Sequence, residues 1–178
     1  EVILSLDKNY KDSFSKKILK KLKKINQILL IGMGGSILGA KAIYKFLYPK
    51  HKKFIFIDNF SNTLFKDDKK KKLALIISKS GNTLETISNS NILINKKDTS
   101  IFITEDRKSY LLEIAHKLKS EVIHHNNFIG GRYSVLSEVG MLPAQLMGFK
   151  PEKFRRLNKL VENKYFINSL IQNVSNIY

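Results

Sequence analysis

The sequence predicts a doubly wound α/β domain, an about five-stranded parallel sheet flanked by helices, continued by a helical C-terminal extension. Short apolar runs without polar alternation recur along the chain, as expected of strands buried on both faces of a parallel sheet. Between them lie segments whose apolar residues fall at helical spacing. Two of the strand-to-helix turns are crowded with glycine and hydroxyl side chains. With 178 residues, 43% of them apolar, the chain is long enough for one substantial core.

Between Asp12 and Lys24, Phe14, Ile18, Leu19 and Leu22 stand at helical spacing among lysines, which predicts a basic amphipathic helix with a narrow apolar face. Ile28–Ile31 reads as the first strand, stopped by Gly32. Ile37, Ala40, Ile43, Tyr44 and Leu47 then predict a helix over Ser36–Leu47. Phe54–Ile57 and Leu73–Ile77 follow as strands, Thr83–Leu93 as a helix, Ile101–Thr104 as a strand and Ser109–Leu118 as a helix. Val122 and Ile123 make a last short strand, which His124 and His125 end. From Ser134 the pattern is wholly helical, with Val135, Leu136, Val139 and Leu142 ahead of Pro143 and a second helical stretch from Pro151. Lys69–Lys72 reads as a solvated helix end and His51 as part of a polar loop. The organisation implied is an N-terminal helical segment over 1–26, the α/β domain over 27–148 and the extension over 149–178. The chain opens on Glu1 and its last residues carry no helix stop signal, so both ends are expected to be cut points.

Composition removes several functions. Without cysteine there is no disulfide framework, no thiolate zinc site and no cysteine catalysis, and the cytoplasm is the expected compartment. No apolar run approaches the ~18 residues that span a bilayer, so no membrane partner is expected. The net charge of +17 rests on lysine, with Arg107, Arg132, Arg155 and Arg156 the only arginines among 32 basic residues. Nucleic-acid surfaces usually add arginine forks and interleaved aromatic rings, so a general Lys/Ile/Asn bias accounts for the charge better than a nucleic-acid partner does. The positive field still favours small anionic substrates.

In a parallel doubly wound sheet, ligands gather at the carboxyl ends of the strands, where helix N-termini present free N–H groups. The first candidate turn is GMGGS, Gly32–Ser36. Gly35 and its neighbours let the backbone approach a ligand, and Ser36 adds a hydroxyl at the helix start. The run departs from the dinucleotide fingerprint G-x-G-x-x-G, and taken alone it equally describes a tight turn with Ser36 as an ordinary N-cap. The second turn, SKSGNT, sets Ser78, Ser80, Asn82 and Thr83 beside Lys79 and Gly81. Three hydroxyls converging on a helix N-terminus suit the oxygens of a terminal phosphate. Helix capping accounts for one of them, or two, and the order is not that of a Walker loop. The third element is GGRYS, Gly130–Ser134, where glycines permit a sharp turn that aims Arg132 into a cleft. A surface turn with a solvated Arg132 is the equal alternative on residue physics.

In order and spacing, GMGGSILG, SKSGNTLET and GGRYSVLSEVG resemble the three signature stretches of the first sugar-isomerase (SIS) domain of the glucose-6-phosphate isomerase family, over about Ile28 to Gly148. The resemblance implies an SIS-type fold and a sugar phosphate partner, glucose 6-phosphate or fructose 6-phosphate. Ser36, Ser78, Ser80 and Thr83 are implied as its ligands, with Gly35 and Lys79 in the same site. Arg132 is implied at the reacting carbons, opposing the charge of a cis-enediolate. No cofactor or metal is expected, and a homodimer is expected of the full-length form.

One departure limits the resemblance. The family's base is a Glu in an E-S-N-G-K-like stretch well downstream of the GGR motif, followed by a ring-opening His and a C-terminal Lys. No such stretch follows Arg132, and His116, His124 and His125 precede it. Of the carboxylates near the cleft, Glu85 reads as a structural residue of a first helical turn, and Glu138 is the one remaining candidate base. The expectation is therefore the N-terminal half of an isomerase, without turnover of its own. A stand-alone phosphosugar-binding sensor is the alternative, and a dinucleotide-binding domain, with Asp58 as its acidic residue, a weaker third.

Overall fold

A computed structural model describes residues 2–49, 52–60, 72–95 and 97–177. His51 and Lys69–Lys71 lie outside the described residues. The five strands are β1 (Gln27–Gly32), β2 (Lys53–Ile57), β3 (Lys72–Ile77), β4 (Thr99–Thr104) and β5 (Glu121–His124). All pairings are parallel, in the order β2-β1-β3-β4-β5. The helices are α1 (Lys16–Leu22), α2 (Gly35–Leu47), α3 (Leu84–Leu93), α4 (Tyr110–Lys117), α5 (Glu138–Leu146), α6 (Pro151–Phe154), α7 (Asn158–Val161) and α8 (Lys164–Ile177). Short 3-10 turns occupy Ile3–Leu6 and Gly131–Leu136.

The continuous apolar strands are explained by burial on both faces. Alternate residues of a strand point to opposite sides. Ile28, Leu30, Leu73, Leu75 and Ile77 therefore join Ile18 and Leu22 of α1, Ile37 and Ala40 of α2, and Val139 and Leu142 of α5 in one core. Leu29, Ile31, Ala74, Ile76 and Phe102 join Leu111 and Ala115 of α4, with Ile87 of α3 packed against them, in the other. The five-stranded, doubly wound expectation and the helical C-terminal part are observed.

Some boundaries differ for local reasons. The first predicted helix shortens because Ser15 caps α1, its hydroxyl accepting the Ile18 N–H at 3.4 Å, which leaves Phe14 ahead of the helix. Pro143 does not end its helix but lies inside α5, whose Met141, Leu142, Ala144 and Leu146 are all buried. Their packing outweighs the backbone bond that proline forfeits. Lys72 opens β3 rather than ending a helix, and its ammonium pairs with Asp98 at 3.6 Å. Among the described residues, no helix is long and apolar enough to cross a membrane.

Candidate functional site

The strand order reverses between β1 and β3: the chain leaves β1 outward to β2, and β3 outward the other way through β4 to β5. The crevice at such a reversal is where open α/β sheets take their ligands. Gly32 pairs with Ile77 at this seam, so Met33–Ser36 and Ser78–Thr83 leave it side by side. A Cβ placed on Gly32 would stand 3.0 Å from the Ile77 carbonyl oxygen and 3.4 Å from Ser36 Cβ. Ser36 thus sits over the same seam from which Ser78 emerges, and both are buried.

The Ser78–Thr83 turn is locked by its own backbone. The Ser78 N–H donates to the Ile103 carbonyl at 3.0 Å, and the Lys79 carbonyl accepts from the Glu105 N–H at 3.1 Å and the Thr104 hydroxyl at 3.3 Å. Gly81 takes φ +66°, and a side chain there would meet Ser109 Oγ at 2.2 Å. The Leu111 N–H donates to the Gly81 carbonyl and the Tyr110 N–H to Asn82 Oδ1, both at 3.0 Å, which ties the start of α4 to the turn.

Within this frame the hydroxyls are not used as helix caps. Thr83 is the N-cap residue of α3, yet its side chain makes no capping bond; its hydroxyl lies 3.0 Å from that of Ser78. The first-turn N–H groups of α3 are therefore left without a cap hydroxyl, the arrangement in which a helix start takes up an anion. Ser80 Oγ accepts the Asn82 N–H at 3.2 Å. Lys79 turns elsewhere: its ammonium donates to the Asn127 carbonyl at 2.9 Å and pairs with Glu105 at 3.3 Å. Glu105 also holds Arg107 at 3.1 Å.

The Arg132 turn arrives by close packing. A Cβ on Gly35 would lie 2.1 Å from the Gly131 carbonyl oxygen and 2.7 Å from the Arg132 nitrogen, and one on Gly39 would lie 2.6 Å from Val135 Cγ2. The first turns of α2 thus form a glycine groove that seats Gly131–Leu136 and sets Arg132, exposed, above the helix start that carries Ser36. Within the turn, Ser134 Oγ donates to the Gly131 carbonyl at 2.6 Å and Ser137 Oγ to the Ser134 carbonyl at 2.8 Å. The one-turn spacing of Gly35 and Gly39 was the sequence signal for this groove, beyond the ligand approach expected of Gly35.

Glu138, the candidate base, is engaged. Glu138 is 1% exposed, its Oε1 accepts the Asn126 N–H at 2.8 Å, and burial raises its pKa above the ordinary value. His125 is equally buried. Its Nδ1 lies 3.0 Å from the Asn126 carbonyl and 3.9 Å from Glu138 Oε1, its Nε2 has no partner among the described residues, and burial lowers its pKa. Both line a cleft of about 510 Å³ at the carboxyl ends of β4 and β5, with Tyr10, Asp106, Asn127 and Phe128. Glu85 stands in the first turn of α3, as expected, and Asp58 pairs with the Lys41 ammonium. Among the described residues, no three His, Asp or Glu side chains gather as a metal site.

Two hydroxyl-bearing turns thus meet at the reversal, with an Arg-bearing turn seated on the first. The phosphoglucose isomerase family model matches residues 13–177. The chain belongs to the phosphoglucose isomerase family. Its relatives include the glucose-6-phosphate isomerase of Methanocaldococcus jannaschii, 33% identical over 87% of this chain and 43% of that protein. That of Acholeplasma laidlawii is 36% identical over 84% of this chain and 40% of that protein. This phosphoglucose isomerase family chain thus spans about two-fifths of the length of the curated relatives it matches. The fold recurs in a hypothetical protein from Thermus thermophilus, at a TM-score of 0.70 with 22% identity, covering 89% of this chain and 43% of that one. It recurs also in tagatose-6-phosphate ketose/aldose isomerase from Escherichia coli, at 0.57 with 14% identity, over 86% of this chain and 45% of that one.

Proposed function

We propose that this chain is the phosphosugar-binding part of a glucose-6-phosphate isomerase, the enzyme that interconverts glucose 6-phosphate and fructose 6-phosphate. One observation supports the reading: Thr83, at the start of α3, spends its hydroxyl on Ser78 rather than on its own helix, which leaves the first-turn N–H groups without a cap hydroxyl and open to an anion. Ser78, Ser80 and Thr83 take the phosphate, with Ser36 at the edge, Gly35 giving the backbone its close approach, and Lys79 bracing the turn. Arg132, over the start of α2, opposes the negative charge that grows on the substrate oxygens as the C2 proton leaves and the cis-enediolate forms. The base that carries this proton between C2 and C1 and the group that opens the sugar ring belong to the part of the relatives this chain does not match. Glu138 does not stand in for the base, because its carboxyl is buried and bonded to the Asn126 N–H. The complete enzyme works in the cytoplasm, as a homodimer, in glycolysis and gluconeogenesis, and neither nucleic acid nor membrane takes part.

Calorimetric titration of the chain with fructose 6-phosphate, beside fructose, tests the reading. Binding that requires the phosphate is expected; equal binding of both sugars, or of neither, overturns it. A coupled assay of fructose 6-phosphate conversion is expected to show no turnover. Turnover that disappears in Glu138→Gln would place a base within this chain after all.

A further inference from the structure

Arg155, at the end of α6, is a cation 3% exposed that the substrate chemistry does not call for. Its guanidinium is fully engaged. Nε and Nη2 both donate to the Leu136 carbonyl, at 3.0 and 2.7 Å; Nη1 donates to the Tyr10 carbonyl at 3.2 Å and to Asp12 Oδ2 at 3.0 Å; Nη2 donates to Asp12 Oδ1 at 2.5 Å. The group also lies 4.8 Å over the Tyr10 ring. Leu136 is the last residue of the 3-10 turn that carries Arg132, and its carbonyl is one of the groups such a turn leaves unbonded at its end.

We propose that Arg155 is a positioning residue for Arg132, fixing the exit of the Gly131–Leu136 turn so that Arg132 meets the substrate oxygens on which the enediolate charge grows. The proposal rests on the reading of Arg132 given above. The turn is held at two points: in its middle the Gly35 and Gly39 groove seats it, and at its exit Arg155 holds Leu136. The groove fixes where the turn lies, but a groove of glycines offers no directional bond. Direction comes from the two N–H groups converging on one carbonyl oxygen, with Asp12 fixing the plane of the fork. A contact needed for stability alone has a simpler solution, since well-packed apolar residues commonly match or exceed buried ion pairs. Lysine keeps the charge but cannot supply the fork, so Arg155→Lys separates geometry from charge.

The test is a double-mutant cycle on the chain, read as the dissociation constant of 5-phosphoarabinonate, whose carboxylate carries charge where the enediolate would. Arg132→Ala and Arg155→Lys are each expected to weaken binding about tenfold, and the double variant no further than Arg132→Ala alone. Thr83→Ala combined with Arg155→Lys is expected to be multiplicative, because the phosphate turn does not depend on the clamp. Should Arg155→Lys fail to fold, Asp12→Asn, which loosens the fork without removing it, is expected to weaken binding about threefold, again only when Arg132 is present. Equal weakening with and without Arg132, or a lowered melting temperature at unchanged affinity, overturns the positioning role and leaves a structural one. If Arg132→Ala binds as tightly as the unaltered chain, or the unaltered chain does not bind, the reading of the site fails and the proposal falls with it.

Discussion

The two turns that define the site are built on different principles. Ser78–Thr83 is held mainly by backbone bonds to the neighbouring strand β4 and the start of α4, with the Asn82 amide oxygen accepting the Tyr110 N–H, within about one βα unit of its own sequence. Gly131–Leu136 is held by remote parts of the chain: the bare glycine face of α2 in its middle, and the Arg155 and Asp12 side chains at its exit. A turn fixed mainly by its backbone tolerates side-chain exchange, so its hydroxyls can be spent on a ligand. A turn fixed by remote side chains depends on each of them, and changes far from the ligand are felt there.

The largest effect is therefore expected at a residue that touches no substrate atom through a side chain. Gly35→Val sets a branched side chain where even Cβ stands 2.1 Å from the Gly131 carbonyl oxygen, a backbone group that cannot rotate away. The chain is expected to lose about 3 kcal/mol or more of stability in urea unfolding, at the severe end for one substitution. A variant as stable as the unaltered chain would mean that Gly131–Leu136 does not rest on α2.

At Ser78–Thr83, proposed to take the phosphate, the fold should survive substitution and the affinity should not. Ser78→Ala and Thr83→Ala are each expected to weaken fructose 6-phosphate binding by about 1–3 kcal/mol, the range for a hydrogen bond to a charged group, with little change in melting temperature. Calorimetry showing unchanged affinity in both variants would detach the hydroxyls from the ligand.

The same division decides what was legible in the sequence. The five strands were readable because two-sided burial leaves unbroken apolar runs such as Leu73–Ile77, and the Ser78–Thr83 turn stood out because three hydroxyls fall within six residues. That α5 runs on through Pro143 was not legible, because the packing of Met141 and Leu146 that holds it there is tertiary. The Arg155 clamp was not legible at all: its partners Asp12 and Leu136 stand 143 and 19 residues away, and no periodicity marks such a pair. Lys79 looked like a ligand by position, and only its bond to Asn127, 48 residues on, shows where its charge goes.

Glu138 sharpens the comparison through pH. Burial raises its folded pKa, so the folded chain binds this proton more tightly than the unfolded one, and the contribution weakens as pH rises from the ordinary value of 4.5 through the folded pKa. Glu138→Gln resembles the protonated acid. It is expected to match the unaltered chain at low pH and to exceed it progressively as pH rises toward neutrality. Buried His125 has the opposite sign: its folded pKa is lowered, so its contribution is present above the ordinary value of 6.5 and is lost as pH falls toward the folded pKa. Melting temperatures of Glu138→Gln and the unaltered chain across this range decide the first point. Parallel curves would show that the carboxyl is not desolvated.

The smallest effect is expected at Lys79, although it lies between two of the hydroxyls proposed to bind phosphate. Its ammonium is committed to the Asn127 carbonyl and to Glu105, and its side chain remains 28% exposed, so the ion pair is of the kind that contributes at most about 1 kcal/mol. Removing one of 32 basic side chains also changes little of the field that draws an anion to this face. Lys79→Met is accordingly expected to lower stability by less than about 1 kcal/mol and to weaken fructose 6-phosphate binding less than about threefold, well short of Thr83→Ala. The contrast separates two kinds of phosphate site, one of hydroxyls and helix N–H groups and one of point charges, because only the second loses most of its affinity with a single lysine. A tenfold or greater loss in Lys79→Met, with steeper salt dependence in the unaltered chain than in the variant, would show that the ammonium leaves Asn127 when the phosphate arrives. Release of that bond would then couple the phosphate turn to the loop that leads into Arg132, making the two turns one responsive unit instead of two independently fixed ones.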